Sequence, residues 1–441
     1  MSTVTFYGGV KEVGGNKVLI RDGDTSIFLD FGMSFTSKRA YYSPPFLTPK
    51  SAESLIEFGI LPKIKGVYKF ERSEQSVDAV FLSHSHMDHS AYVTFLKRSI
   101  PIYCGETSKT ILQTSAKTKI ASLEFDIRGL KFQTFRTGDE IRLGSIRLKP
   151  IHVDHSVPGA YGFIVETSSG VIVYTGDFRM HGTKPEMTGD FIDKAREAES
   201  SIMVSECTNI TNAGVSSEPE VMEKLGQIMK VTRGLIITDF SWSDVDRLRS
   251  FYNAAVKNGR SLVLTPKQAY LLKELAKDPK LKIPDLRDTS ILVFDKGKKR
   301  PYRWEEEIFS MADTLDASKL TLRQKELVLV APFYEFEELL TIKPGPGSCY
   351  IQSSSEPFNE EMEIDFGRLV NWLEHFGIPR YHIHVSGHIM PMDLREVISE
   401  IKPYAVFPIH GEHPEVFKKF ISDLNCRVQI PQLGEEYRIG L

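Results

Sequence analysis

Apolar residues in the first half of the chain fall into short solid or alternating runs separated by glycine turns, at residues 3–7, 17–20, 26–31, 77–82, 141–148, 161–166 and 171–174. Runs of this length, rich in β-branched and aromatic residues, predict strands. Helical spacing intervenes near residues 90–98 and 107–116. From residue 218 the rhythm changes. Strand-like runs at 235–238, 261–264, 291–294, 327–330 and 349–351 now alternate with longer amphipathic stretches, the pattern of a mostly parallel α/β unit. Beyond residue 360 the spacing predicts a long amphipathic helix, then strands at 381–385 and 405–409, each followed by a helix. A chain of 441 residues exceeds what one hydrophobic core usually organises, so two domains are expected.

Composition narrows the class. Hydrophobic residues make up 41% and charged residues 26%, as in an ordinary globular protein. No apolar run approaches the roughly 20 residues that span a bilayer, which predicts a soluble protein without a membrane partner. The opening MSTVTFYGGV reads as a strand entering a glycine turn rather than a leader, so a cytoplasmic location is expected. Cys104, Cys207, Cys349 and Cys426 lie too far apart for a CxxC pair and read as free, mostly buried thiols. A net charge of -3 gives no global attraction to nucleic acid, so a polyanion would need a local basic surface or metal ions. One basic stretch is present, with Lys296, Lys298, Lys299, Arg300 and Arg303 around Tyr302 and Trp304. On charge alone a solvated loop accounts for it equally well.

The densest chemistry is Ser83-His84-Ser85-His86-Met87-Asp88-His89. In extended backbone His84 and His86 point to the same side, and Asp88 and His89 fall in the turn that opens the next helix. These side chains can serve two metals, and imidazole with carboxylate suits zinc, or manganese, better than calcium or magnesium. His155 in Asp154-His155-Ser156, Asp177 in Thr175-Gly176-Asp177 and His410 in Ile409-His410-Gly411 each follow an apolar run. Singly, each reads as a polar turn residue. A carboxylate such as Asp177 can also bridge two cations.

Together these residues resemble the metallo-β-lactamase superfamily, whose signature is HxHxDH, a later His, a strand-end Asp and a final His. The resemblance implies an α/β fold, an αββα sandwich, with His84, His86 and His155 on one metal, Asp88, His89 and His410 on the other, and Asp177 between them. Asp30, in Leu29-Asp30-Phe31-Gly32, matches the acidic group that orients the ligand loop without binding metal. Glu206 in Ser205-Glu206-Cys207-Thr208, His388 in His384-Val385-Ser386-Gly387-His388, and His410 match the three motifs of the β-CASP nucleases. The implied domains are a metallo-β-lactamase first part at 1–208, an inserted α/β β-CASP domain at 209–360 and a closing part at 361–441.

Within that group the wording Gly8-Gly9-Val10-Lys11-Glu12-Val13-Gly14-Gly15-Asn16 and Ile409-His410-Gly411-Glu412 resembles the ribonuclease J family in its shorter archaeal organisation. The resemblance implies two Zn2+ or Mn2+ ions, single-stranded RNA as substrate, and 5'-3' exonuclease action favouring a 5'-monophosphate. A homodimer is the expected assembly. His388, oriented by Glu206, is the candidate general acid. Ser243, at an expected helix N-terminus, would join Ser353, His384 and Ser386 in binding the terminal phosphate, although Ser243 is also readable as a helix cap alone. The family's glycine-rich phosphate turn is here Gln352-Ser353-Ser354-Ser355-Glu356-Pro357, of which only Ser353 and the Glu-Pro end match. A cleavage-factor-type endoribonuclease, a DNA-directed metallohydrolase and a catalytically silent RNA-binding subunit are the alternatives.

Overall fold

Alternation along the strands decides which layer each residue joins. In the strand Thr25–Leu29, Ile27 and Leu29 enter one core while Phe28 enters another; in Gly170–Tyr174, Ile172 and Tyr174 part from Val173 in the same way. A period of two can only do this when both faces of a sheet are covered. The computed structural model describes residues 1–441 except 45, 120, 121, 356–359 and 441, so Glu356 and Pro357 lie outside the described residues. Among the described residues there are three seven-stranded sheets.

Two compact units result, Met1–Ala213 with Gly387–Leu441, and Gly214–Ser386. In the first, two sheets face each other across a core that includes Val4, Phe6, Ile27, Phe81, Phe163, Tyr174, Val204 and Phe407. The outer face of one sheet is covered by residues such as Leu55, Tyr92 and Phe95. That of the other is covered by the helices Pro185–Glu197, Pro391–Ile401 and Pro414–Phe420. This is the αββα sandwich expected from the sequence. The second unit is a sheet whose pairings are all parallel.

Four expectations need correction. The run 141–148 is two strands, Ile141–Leu143 and Ile146–His152, because Gly144 turns the chain at φ 52. The helix expected at 90–98 is a single α-turn, Met87–Ser90, followed by a 3-10 segment, Ala91–Phe95. The strand expected at 381–385 is the short edge strand Arg380–His382. Finally, the chain returns to the first unit at Gly387 rather than at 361. Arg380–His382 pairs in parallel with Cys349–Gln352 and so extends the sheet of the second unit. Cys104, Cys207 and Cys349 are buried free thiols and Cys426 is half-buried. Among the described residues no helix is long and apolar enough to cross a membrane.

Candidate metal centre

Parallel strands bring their carboxyl ends to one edge, and in the first unit that edge collects the chemistry. Tyr174 pairs with Val204, and Glu206 with Ile409, so the turns carrying Asp177, Glu206 and His410 emerge side by side. In the facing sheet the strand Ala79–Leu82 lies parallel to Thr25–Leu29 and delivers residues 83–89 beside Asp30. Asp30 and His410 both take left-handed backbone, at φ 58 and 52. Asp and His enter that region more readily than β-branched residues, and here it turns each chain sharply at a strand end.

The ligand turn is stitched on both sides by main chain. Phe31 N donates to His89 O at 2.8 Å, Met33 N to Met87 O at 3.0 Å, and Asn16 N to Asp88 O at 3.0 Å. The approach is close enough to require glycine: a Cβ on Gly32 would lie 1.6 Å from Asp88 O. Gly32→Ala is therefore expected to destabilise the fold by roughly 1–3 kcal/mol, the usual range for overpacking. Denaturant titration reads the loss, and an unchanged midpoint would mean that the turn can move aside.

Asp177 Oδ2 occupies the middle of the constellation. It stands 3.2 Å from His89 Nε2, 3.6 Å from His84 Nε2, 3.6 Å from His410 Nε2 and 3.9 Å from His155 Nε2. His86 Nδ1 lies 3.0 Å from His84 Nε2 and 3.1 Å from His155 Nε2, and Asp88 Oδ2 is 3.1 Å from His410 Nε2. Three overlapping groups could hold metal ions: His84, His86, His155 and Asp177; Asp88, His89 and His410; and Asp177, His388 and His410.

The outward nitrogens test whether the donors are prepared for cations. Ser83 Oγ donates to Asp30 Oδ2 at 2.8 Å, so at 3.0 Å it accepts from His84 Nδ1. Thr208 Oγ1 donates to His410 O at 2.7 Å, so at 2.9 Å it accepts from His410 Nδ1. His155 Nδ1 donates to Gly387 O at 2.6 Å, and His89 Nδ1 to Asp30 Oδ2 at 2.7 Å. In each of these four histidines a proton is held on Nδ1, which aims Nε2 inward; in His84, His155 and His410 that nitrogen offers the lone pair a metal needs, and in His89 it would do so on giving up its second proton. Asp177 Oδ1 is buried without a hydrogen-bond partner, a cost that a bound cation would remove. The residues fit bound metal ions.

Electrostatics agree with this. Burial pushes the His84 and His155 imidazoles well below their ordinary value and His86 down to about 4, so these three present neutral rings. Burial also opposes charge on His89, but Asp177, Asp30 and Asp88 outweigh it and raise that imidazole well above its ordinary value. A proton there stands in for positive charge that the carboxylates require. Asp30 is fully buried and also accepts from Ser83 N at 2.7 Å and the Tyr174 hydroxyl at 2.6 Å. Its oxygens are thus committed to orienting the turn.

His388 and Glu206 stand beside this set. His388 Nδ1 is 3.0 Å from Glu206 Oε2 and 3.7 Å from Asp177 Oδ2, while Glu206 Oε1 accepts from Phe178 N at 3.0 Å. Burial disfavours a charged His388, yet Glu206 and then Asp177 raise it to about 9. Its side chain keeps 21% exposure, unlike the fully buried His84, His89 and His410. Several supports were not singled out from the sequence. Ser83 and Thr208 sit inside quoted motifs, which was signal enough, whereas Asn209, which donates to His388 O at 2.8 Å, carries no pattern of its own.

Ser243, Ser353, His384 and Ser386 all belong to the second unit. Ser243 is buried but does not cap the helix Val245–Lys257; Asp244 does, accepting from Arg247 N. Ser353 Oγ donates to Ile383 O at 2.7 Å and accepts from the buried Arg247 guanidinium. Arg247 is held in turn by Glu218 at 2.9 Å. The serine's donor is therefore committed, leaving acceptor capacity, and the buried cation at this turn is a feature the sequence reading did not anticipate.

Residues 66–206 match the model of a "Beta-lactamase superfamily domain". Along its length the chain is similar to curated proteins called ribonuclease J. It is 25% identical to that of Thermus thermophilus over 97% of this chain and 72% of that protein. It is 23% identical to that of Helicobacter pylori over 99% of this chain and 60% of that protein. The fold matches a crystal structure of a protein of unknown function from Enterococcus faecalis V583, with a TM-score of 0.79, 24% identity and 99% of each chain covered. With the HxHxDH turn, the Asp177 hub and the parallel second unit in place, the chain carries a β-lactamase superfamily domain at residues 66–206 and along its length is similar to proteins called ribonuclease J.

Proposed function

We propose that this protein is a two-metal ribonuclease hydrolysing RNA phosphodiester bonds. The observation that carries the reading is Asp177 Oδ2 at the centre of inward-facing donors, in a chain similar almost throughout to proteins called ribonuclease J. When bound, two Zn2+ or Mn2+ ions would neutralise the phosphodiester and activate water. The protein's own groups then have separate tasks. Asp30, Ser83 and Thr208 fix the tautomers and orientation of the ligand rings. Glu206 holds His388 protonated and aimed by its Nδ1, in the role of a general acid toward the leaving ribose oxygen.

The finer reading is processive 5'-3' exonuclease action on monophosphorylated RNA, with Ser243, Ser353, His384 and Ser386 around the terminal phosphate. It rests on the resemblance to ribonuclease J and requires the Ser353 hydroxyl to leave Ile383 O in order to donate to a phosphate, since the charge of Arg247 behind it is balanced by Glu218. RNA bearing a 5'-monophosphate is expected to be degraded about tenfold faster than matched triphosphate or hydroxyl RNA, since each charge-assisted hydrogen bond lost costs roughly 1.5–3 kcal/mol where desolvated. Initial rates on the three RNAs, with product ladders from each labelled end, provide the check. Equal rates with internal fragments first would make the protein an endonuclease. Faster cleavage of matched DNA would point to a DNA-directed enzyme.

A further inference from the structure

The basic stretch at 296–303 has no part in the metal centre, and folding accounts for only some of it. The strand Ile291–Asp295 is buried over its apolar residues and ends at the carboxyl edge of the parallel sheet, where loops of such sheets bind ligands. Asp295 Oδ1 accepts from Gly297 N at 2.8 Å, and Gly297 takes φ 64, so the chain turns at once and sends the following residues outward. Lys296 pairs with Glu335 at 2.9 Å and Lys298 with Glu305 at 2.6 Å. Lys299, Arg300 and Arg303 are exposed, and among the described residues no ion pair takes up their charge. Three unneutralised cations within five positions repel one another and cost stability unless something external uses them.

The aromatic rings beside them are held, not loose. Tyr302 N donates to Glu305 Oε2 at 2.8 Å, and Pro301 fixes the backbone just before it. The Tyr302 ring is 56% exposed and lies nearly parallel to Trp304, 6.3 Å between centroids at 8°. Trp304 in turn meets the buried Tyr270 edge-on at 5.8 Å. Lys298 Nζ lies 5.5 Å from the Tyr302 ring centroid, so this exposed ring is set in place by two others and already has a cation beside it. A second pairing occurs at the same sheet edge, where Lys267, opening the helix after Ser261–Leu264, lies 3.9 Å over Trp242, which follows the strand Ile236–Asp239.

We propose that this edge, centred on Tyr302 with Lys299, Arg300 and Arg303, binds the body of single-stranded RNA, stacking a base on the tyrosine while the cations hold the flanking phosphates. The proposal rests on the reading of RNA as substrate and adds where the strand is gripped. A rigid exposed ring among cations is the pattern of sequence-tolerant single-strand binding. An acidic peptide would use the cations but leave the ring without a partner, and a membrane would want several inserted apolar side chains rather than one supported ring.

The test is KM from initial rates on the metal-loaded full-length protein, with a single-stranded RNA of about 20 nucleotides, longer than common single-strand sites. Tyr302→Ala is expected to raise KM about tenfold, in the range of one lost stacking contact, while Tyr302→Phe stays near the parent. The joint change Lys299→Gln, Arg300→Gln, Arg303→Gln is expected to flatten the dependence of log KM on log salt by about 2, near 0.7 per phosphate contact. Unchanged melting temperature and metal content keep misfolding out of the comparison. If the parent protein cleaves RNA and neither KM nor salt slope moves, the edge is not an RNA site, though the enzyme reading stands. A shift from dimer to monomer in these variants, with KM unmoved, would make the edge a protein contact and overturn the proposal. If the parent cleaves no RNA, the ribonuclease reading fails and the proposal with it.

Discussion

Asp177→Ala is expected to give a folded protein that retains fewer than two cations per chain and hydrolyses RNA at least about a thousandfold more slowly, because the cations supply most of the charge stabilisation. The expectation comes from position. Asp177 Oδ2 lies within 4 Å of His84, His89, His155 and His410 together, so its loss touches both candidate ligand groups at once. His86→Ala, by contrast, removes a donor from one group only, and should weaken one site more than the other. Elemental analysis and initial rates on the same preparations separate the cases. Two cations with full turnover in Asp177→Ala would remove the carboxylate from the bridging position.

His388→Ala is expected to keep its metals and its RNA affinity and to lose about a hundredfold to ten-thousandfold in the cleavage step, the usual contribution of a general acid. The pH profile supplies the sharper check. Glu206 and Asp177 raise this imidazole to about 9, and cations at the neighbouring ligands would push it back down. An acid must be protonated, so the parent rate should fall as pH rises through whatever value results. The variant should lack that alkaline fall. Loss of metal in His388→Ala would instead make it a ligand, in keeping with its place in the third group beside Asp177 and His410, and an unchanged rate would put the acid elsewhere.

How much of this was legible in the sequence depended on distance along the chain. The candidate ligands from His84 to His89 were readable because a strand and a turn set their geometry locally. His155, Asp177 and His410 are single polar residues after apolar runs, and only strand register brings them together, so family resemblance had to stand in for tertiary information. The strand Ile202–Glu206, which delivers Glu206, escaped the pattern because only three of its five residues are apolar. Ser243 misled for a local reason: with Asp244 next to it, two residues compete for the cap, and the carboxylate accepts the bond. The later domain boundary was missed because a three-residue edge strand with exposed side chains, Arg380–His382, leaves almost no periodic signal.

The main-chain stitching of the ligand turn bears on how metal comes and goes. Phe31, Met33 and Asn16 hold the backbone of Met87, Asp88 and His89 by bonds that involve no side-chain donor, and Gly32 leaves no room for the turn to swing. Exchange of cations then requires ligand atoms to let go one at a time, without unravelling of the loop. Chelated protein should stay reloadable, and its occupant should follow the concentrations of the ions offered and the order in which they arrive. Two preparations of the same chain, one grown with excess zinc and one with excess manganese, could therefore differ in rate for as long as release is slow, with no difference in fold between them.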